Sequence, residues 1–123
     1  MIQFDKFTIK AQEAIANAQK IATERSNQNV EVEHLLQALL EQEDGIIVSI
    51  LQKMGILIED LKINLEKLIN KIPKVYGAEV GSYISSTLRR VIDKSFDEAS
   101  KLKDEYISTE HLLIALTEIE SSV

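Results

Sequence analysis

With 123 residues, 45% of them hydrophobic, the chain has material for one hydrophobic core and not for two. A net charge of -6 and no Lys/Arg cluster larger than Arg89-Arg90 argue against a nucleic-acid face, and the absence of cysteine excludes disulfides and thiolate metal sites. The longest apolar stretch, Ile46 to Leu51, is broken by Ser49 and falls far short of the ~20 residues of a membrane span, and the N-terminus lacks the blocks of a signal peptide, so a soluble cytoplasmic domain is expected.

Few aromatics, 4 Gly and 1 Pro favour helices over sheets. Phe4 to Phe7 is an apolar lead-in, and Thr8 suits an N-cap with Phe7 as a hydrophobic staple before it. Ala11, Ala14, Ile15, Ala18 and Ala22 then recur at helical spacing, giving a first helix to about Arg25 whose small side chains invite a close neighbour. After the polar break at 26–29, a second helix runs from about Val32 to Gln42 with Leu35, Leu36, Leu39 and Leu40 on one face. The Glu43-Asp44-Gly45 turn leads to a short, largely buried third helix from Ile46 to Met54, closed by Gly55 at C′. The fourth spans about Ile58 to Lys71, with a stripe of Ile58, Leu61, Leu65, Leu68 and Ile72.

The stretch from Pro73 to about Tyr83 reads as a linker. Beyond it, Ser85 or Ser86 caps a fifth helix with Leu88, Val91, Ile92, Ala99 and Leu102 on its inner face. Asp104 to Ile107 turns the chain, and Ser108 caps a sixth helix with Glu110 in its first turn, where the helix dipole favours a carboxylate. Burial is least assured for Phe4, Phe7, Ile9, Tyr83, Ile84 and Tyr106, which sit near helix starts or in turns.

The chain repeats itself. Glu33-His34-Leu35-Leu36-x-Ala38-Leu39 returns 77 positions later as Glu110-His111-Leu112-Leu113-x-Ala115-Leu116, and the same shift lays Thr8 on Ser85, Ala14 on Val91 and Ala22 on Ala99. The expected fold is therefore all-α, a four-helix unit duplicated about a pseudo-twofold axis, with repeat one over about 7–72, the linker over 73–83 and repeat two over 84–123. Counterparts of the third and fourth helices would fall at about 123–148, so the second repeat is expected to be incomplete here and the domain longer.

No phosphate-binding loop and no His-Glu-x-x-His motif is present, and Ser and His residues form no nucleophile–base pair, so the chain is expected to be no enzyme. A metal site would need His34 and His111 to meet; the plainer reading has each imidazole packed or hydrogen-bonded at the start of its helix. Where two copies meet, a groove with an apolar floor and an acidic rim could take a peptide segment, with Thr8, Asp104 and Glu110 as polar candidates for the rim.

Lys6-Phe7-Thr8-x-Lys10-Ala11-Gln12-Glu13-Ala14, the Glu33-His34-Leu35-Leu36 motif and Ile72-Pro73-Lys74-Val75-x-Gly77 together resemble the N-terminal domain of the Clp unfoldases, most closely the ClpB-type protein disaggregases. The resemblance covers essentially the whole chain. It implies a domain on a mobile linker above a homohexameric ring that uses ATP and Mg, with every nucleotide-binding residue beyond this chain and no cofactor within it. It also implies capture of unfolded or aggregated polypeptide for the central pore, with the DnaK chaperone system as a partner, and with no nucleic-acid or membrane partner. Substrate-engaging positions of the family fall by motif on Thr8, Asp104 and Glu110; Ile9, Leu88, Ile92, Tyr106 and Leu113 are the expected apolar groove residues. The alternative is an adaptor-docking domain of a protease-coupled unfoldase, the ClpA or ClpC type.

Overall fold

The computed structural model describes residues 4–76, 80 and 83–119; part of the expected linker, including Gly77 and Gly81, and the end of the second repeat, 120–123, lie outside the described residues. Six α-helices follow one another: α1 Ile9–Glu24, α2 Val32–Leu40, α3 Ile47–Lys53, α4 Ile58–Asn70, α5 Ser86–Lys101 and α6 Thr109–Glu118. The all-α class is thus observed, with each helix where its apolar spacing placed it.

The shift of 77 positions carries local geometry as well as sequence. Thr8 and Ser85 cap α1 and α5 in the same way, their hydroxyls accepting from the amides of Ala11 at 3.2 Å and Leu88 at 3.0 Å. α1 and α5 also end alike. Ser26 and Lys103 both adopt φ 58°, the left-handed region, and the next amide in each copy, Asn27 or Asp104, donates back to Ala22 or Ala99 at 2.9 Å. Such a Schellman closure normally takes glycine at this position, as α3 does at Gly55, φ 86°.

Two very short strands, β1 Asn29–Val30 and β2 Tyr83–Ile84, join in parallel, and an isolated parallel bridge links Phe7 to Ile107. These contacts are reciprocal. The Ser85 amide donates to the Val30 carbonyl at 3.0 Å, and the Thr8 amide donates to the Ile107 carbonyl at 2.9 Å. Each residue of one pair is the 77-shifted counterpart of a residue in the other, so each copy lends the segment before its long helix to the other copy. Correspondingly, α1 touches α6 while α5 touches α2, the crossed pairing that a twofold relation produces.

Ala11, Ala14, Ala18 and Ala22 are fully buried on the face of α1 that meets α2, which brings the two helices close. Leu35, Leu39, Ile47, Leu65, Ile69, Leu88, Val91 and Leu112 fill the space between. α4 lies on α2 in the first copy. On α6, Leu113 and Leu116 are only half-buried where their counterparts Leu36 and Leu39 are buried.

Some expectations needed correction. Leu102 is 58% exposed rather than inward-facing, because it is the residue on which α5 terminates. α3 buries only Ile47 and Leu51. On α4 the expected stripe of Ile58, Leu61, Leu65, Leu68 and Ile72 is buried or half-buried, and Ile69 joins it as a fully covered residue. Phe7 is buried, not marginal: its ring meets that of Phe96 edge-on at 5.5 Å, across the two copies. The start of the linker is pinned, with the Val75 amide donating to the Ser26 carbonyl at 2.8 Å.

The left-handed Lys103 supplies a test. Replacing Lys103, an exposed side chain with no role in the core, by glycine relieves the steric cost of that backbone region. Lys103→Gly is expected to gain about 0.5–1 kcal/mol in urea unfolding; a variant no more stable than the parent would show the turn to be unstrained.

Candidate functional site

An open hollow of about 390 Å³ lies where the two copies meet, bordered by Thr8, Ile9 and Lys10 at the start of α1, by Ser108, Thr109 and Glu110 at the start of α6, and by Asp44, Gly45 and Ile46 between α2 and α3. Its position follows from the exchange described above. The bridge from Phe7 to Ile107 holds the residues just before α1 and α6 side by side, so the first turns of both helices open on the same space. Ile9 and Ile46, 74% and 46% exposed, supply its apolar surface. Asp44, Glu110 and Lys10 supply its charge, with the Lys10 ammonium 3.9 Å from Glu13. The Gln42 amide nitrogen donates to the Lys10 carbonyl at 2.9 Å and ties the α2–α3 connection to α1.

Of the residues singled out in the sequence, the hollow brings together Thr8, Ile9 and Glu110. The others lie elsewhere. Leu88 and Ile92 are 1% and 3% exposed and belong to the core, which corrects their assignment to a groove floor: the inner face of α5 is covered by the rest of the bundle. Leu113 is half-buried on α6, and Tyr106 is 50% exposed in the turn before it; neither borders the hollow. Asp104 does not border it either. Its carboxylate Oδ2 sits 2.9 Å from His111 Nε2.

Sequence reasoning missed Asp44, Gly45, Ile46 and Lys10. The only available signal was an exposed apolar residue, Ile46, directly after an acidic turn, and it reads equally well as the start of a helix.

Both histidines close capping boxes, at the third position of their helices. The Glu31 amide donates to His34 Nδ1 at 2.8 Å and the Ser108 amide donates to His111 Nδ1 at 2.9 Å, each within a capping box in which His takes the position usually given to Glu or Gln. The other ring nitrogen meets Asn27 Oδ1 at 2.8 Å in the first copy and Asp104 in the second. Every imidazole nitrogen is engaged, which leaves no lone pair for a metal, and among the described residues no group of three ligating side chains forms a metal site. Burial, with the Arg25 guanidinium adding to it, lowers the His34 pKa to about 4. The ionisable side chains that border the hollow are Lys10, Asp44 and Glu110.

The Clp repeat (R) N-terminal domain family model matches residues 6–123, and the chain belongs to that family. A chaperone protein ClpB from Bacillus cereus is 45% identical over 125 residues, covering 99% of this chain and 14% of that protein. The N-terminal domain of Hsp104 from Candida albicans superposes with a TM-score of 0.83 at 23% identity, covering 93% of this chain and 75% of that one. A solved complex of the ClpV N-domain with a VipB peptide gives a TM-score of 0.76 at 20% identity, with coverages of 97% and 74%. The chain spans about 14% of the length of the curated relatives it matches, and as a Clp N-terminal domain it is not itself an enzyme. No helix among the described residues is long and apolar enough to cross a membrane.

The buried His34 predicts an acid sensitivity. An unfolded imidazole takes its proton near pH 6.5 and the folded one only near 4, so between those values the unfolded state binds more protons. The stability this group contributes is complete above pH 6.5 and is lost as pH falls toward 4. Urea unfolding at pH 7 and 4.5 is expected to show a loss on the order of 2 kcal/mol that is absent in His34→Gln, where the amide keeps the capping box. An equal loss in both proteins would assign the sensitivity to carboxylates instead.

Proposed function

We propose that this Clp N-terminal domain captures unfolded or aggregated polypeptide in the hollow between α1, α6 and the α2–α3 connection. In this reading it is part of a ClpB-type disaggregase in the cytoplasm. It hands the captured segment to the pore of a homohexameric ring whose ATP- and Mg-dependent modules lie outside this chain, in concert with the DnaK chaperone system. The observation that carries the proposal is the placement of two exposed isoleucines, Ile9 and Ile46, against the open first turns of two helices at the seam between copies. The ClpB relatives at this level of identity and the peptide complex of a structurally similar ClpV domain support it.

The chemistry suits permissive and transient capture. A hollow with two isoleucines offers at most ~1.5–3 kcal/mol for each apolar side chain buried, and ordering a flexible chain offsets part of that. Six such domains on one ring would raise the effective affinity without tightening any single contact. Asp44 and Glu110 outnumber Lys10 at the rim, which favours segments carrying basic residues beside apolar ones. Adaptor docking in a protease-coupled unfoldase is the competing reading, and the likeness to ClpB proteins at 44–45% identity favours the first.

The test is binding of a fluorescently labelled, permanently unfolded polypeptide such as reduced, carboxymethylated lactalbumin. Because Ile9 is 74% exposed, Ile9→Ser should leave the thermal midpoint unchanged. It should weaken binding by about three- to tenfold, the loss of one isoleucine contact. Unchanged affinity in Ile9→Ser would remove the hollow from the binding surface.

A further inference from the structure

Asp104 is the one acidic candidate that the hollow does not contain, yet it is connected to the hollow through a short chain of hydrogen bonds. Its Oδ2 lies 2.9 Å from His111 Nε2, and His111 is only 4% exposed. At the other edge of the same ring, Nδ1 accepts the Ser108 amide hydrogen at 2.9 Å, so the ring carries its proton on Nε2 and donates it to Asp104. Ser108 and the two residues after it, Thr109 and Glu110, form one whole side of the hollow. The path from carboxylate to binding surface therefore runs through a single imidazole.

The first copy shows which part of this device depends on charge. Asn27 stands at the position equivalent to Asp104, and its amide oxygen meets His34 Nε2 at 2.8 Å. The His34 ring then takes the Glu31 amide at 2.8 Å, as His111 takes that of Ser108. A neutral oxygen acceptor holds the imidazole and the helix start as well as a carboxylate does. The repeat thus contains its own Asp-to-Asn substitution.

We infer that Asp104 is a positioning residue of the polypeptide-binding hollow: it orients His111, which fixes the first turn of α6, and its charge makes no contact with the bound chain. The inference rests on the proposed function for where polypeptide binds, and not for the hydrogen-bond path itself.

The experiment uses the 123-residue chain with labelled carboxymethylated lactalbumin as the probe, together with amide NMR spectra of each variant. Asp104→Asn should bind within about twofold of the parent, keep the same salt dependence of affinity, and leave the Ser108 amide resonance in place. Asp104→Ala, which strands the buried Nε2–H, should move the Ser108, Thr109 and Glu110 amides and weaken binding by about tenfold. A tenfold loss in Asp104→Asn, or full binding in Asp104→Ala, overturns the inference. Should Asp104→Ala fail to fold, Asp104→Asn decides alone. Ile9→Ser measured in parallel separates the two readings: if it leaves affinity intact the hollow is not the binding surface, and the positioning role is then judged by the Ser108–Glu110 amide shifts in the Asp104 variants.

Discussion

Everything in this fold depends on the reciprocal exchange of backbone hydrogen bonds between its two copies. The Thr8 amide reaches the Ile107 carbonyl and the Ser85 amide reaches the Val30 carbonyl, so that the residues preceding α1 and α5 are held by the other copy. Those same residues are the N-caps whose hydroxyls start the two long helices. A helix start held by its own cap and by the other copy does not fray independently of its neighbour. The alanine face of α1 reinforces it, since Ala11, Ala14, Ala18 and Ala22 leave nothing for a neighbouring helix to slide over except backbone and β-carbons.

The two histidines follow the same logic on the other pair of helices. In Glu-His-Leu-Leu the first leucine enters the core in both copies and the histidine closes the capping box, so one four-residue motif both starts the helix and anchors it. Placing His rather than Glu at the third position keeps a neutral acceptor for the N-cap amide and frees the opposite ring nitrogen to reach back seven residues, to Asn27 or Asp104. The C-terminal turn of one helix is thereby tied to the N-terminal turn of the next, twice over. What looks like a candidate catalytic or metal-binding residue is in both copies a structural pin between consecutive helices.

Much of this could be read before any coordinates. The helices were legible because each carries a clear apolar periodicity, the caps because Thr8, Ser85 and Ser108 immediately precede it, and the duplication because the Glu-His-Leu-Leu motif brings its surroundings with it. The exchanged strands were not legible, since two residues such as Asn29-Val30 are too few to show alternation. The closures at Ser26 and Lys103 were hidden because neither is the glycine that normally marks a left-handed cap. The site was half legible. Spacing along a helix tells which residues share a face but not whether that face meets core or water, so Leu88 and Ile92 were placed with Ile9 although they point into the bundle. The His–Asx pairs did leave a trace, an Asn or Asp seven positions before each His, which only the duplication would have made noticeable.

A twofold relation raises the question of how far the two seams differ, and the sequence differences between the copies answer it. The hollow is built on Thr8-Ile9-Lys10 and Ser108-Thr109-Glu110; the counterparts of these positions are Ser85-Ser86-Thr87 and Glu31-Val32-Glu33. Ser86 replaces the exposed isoleucine, so the second seam loses its apolar contact where the first displays one. Val32 and its counterpart Thr109 are both buried, at 2% and 5% exposure, but Glu33 is buried at 8% where Glu110 remains half-open. The backbone scaffold is shared and the surface chemistry is not. Duplication supplied two equivalent helix-start frames, and divergence at a few positions left an exposed isoleucine at the start of α1 and a serine at the start of α5.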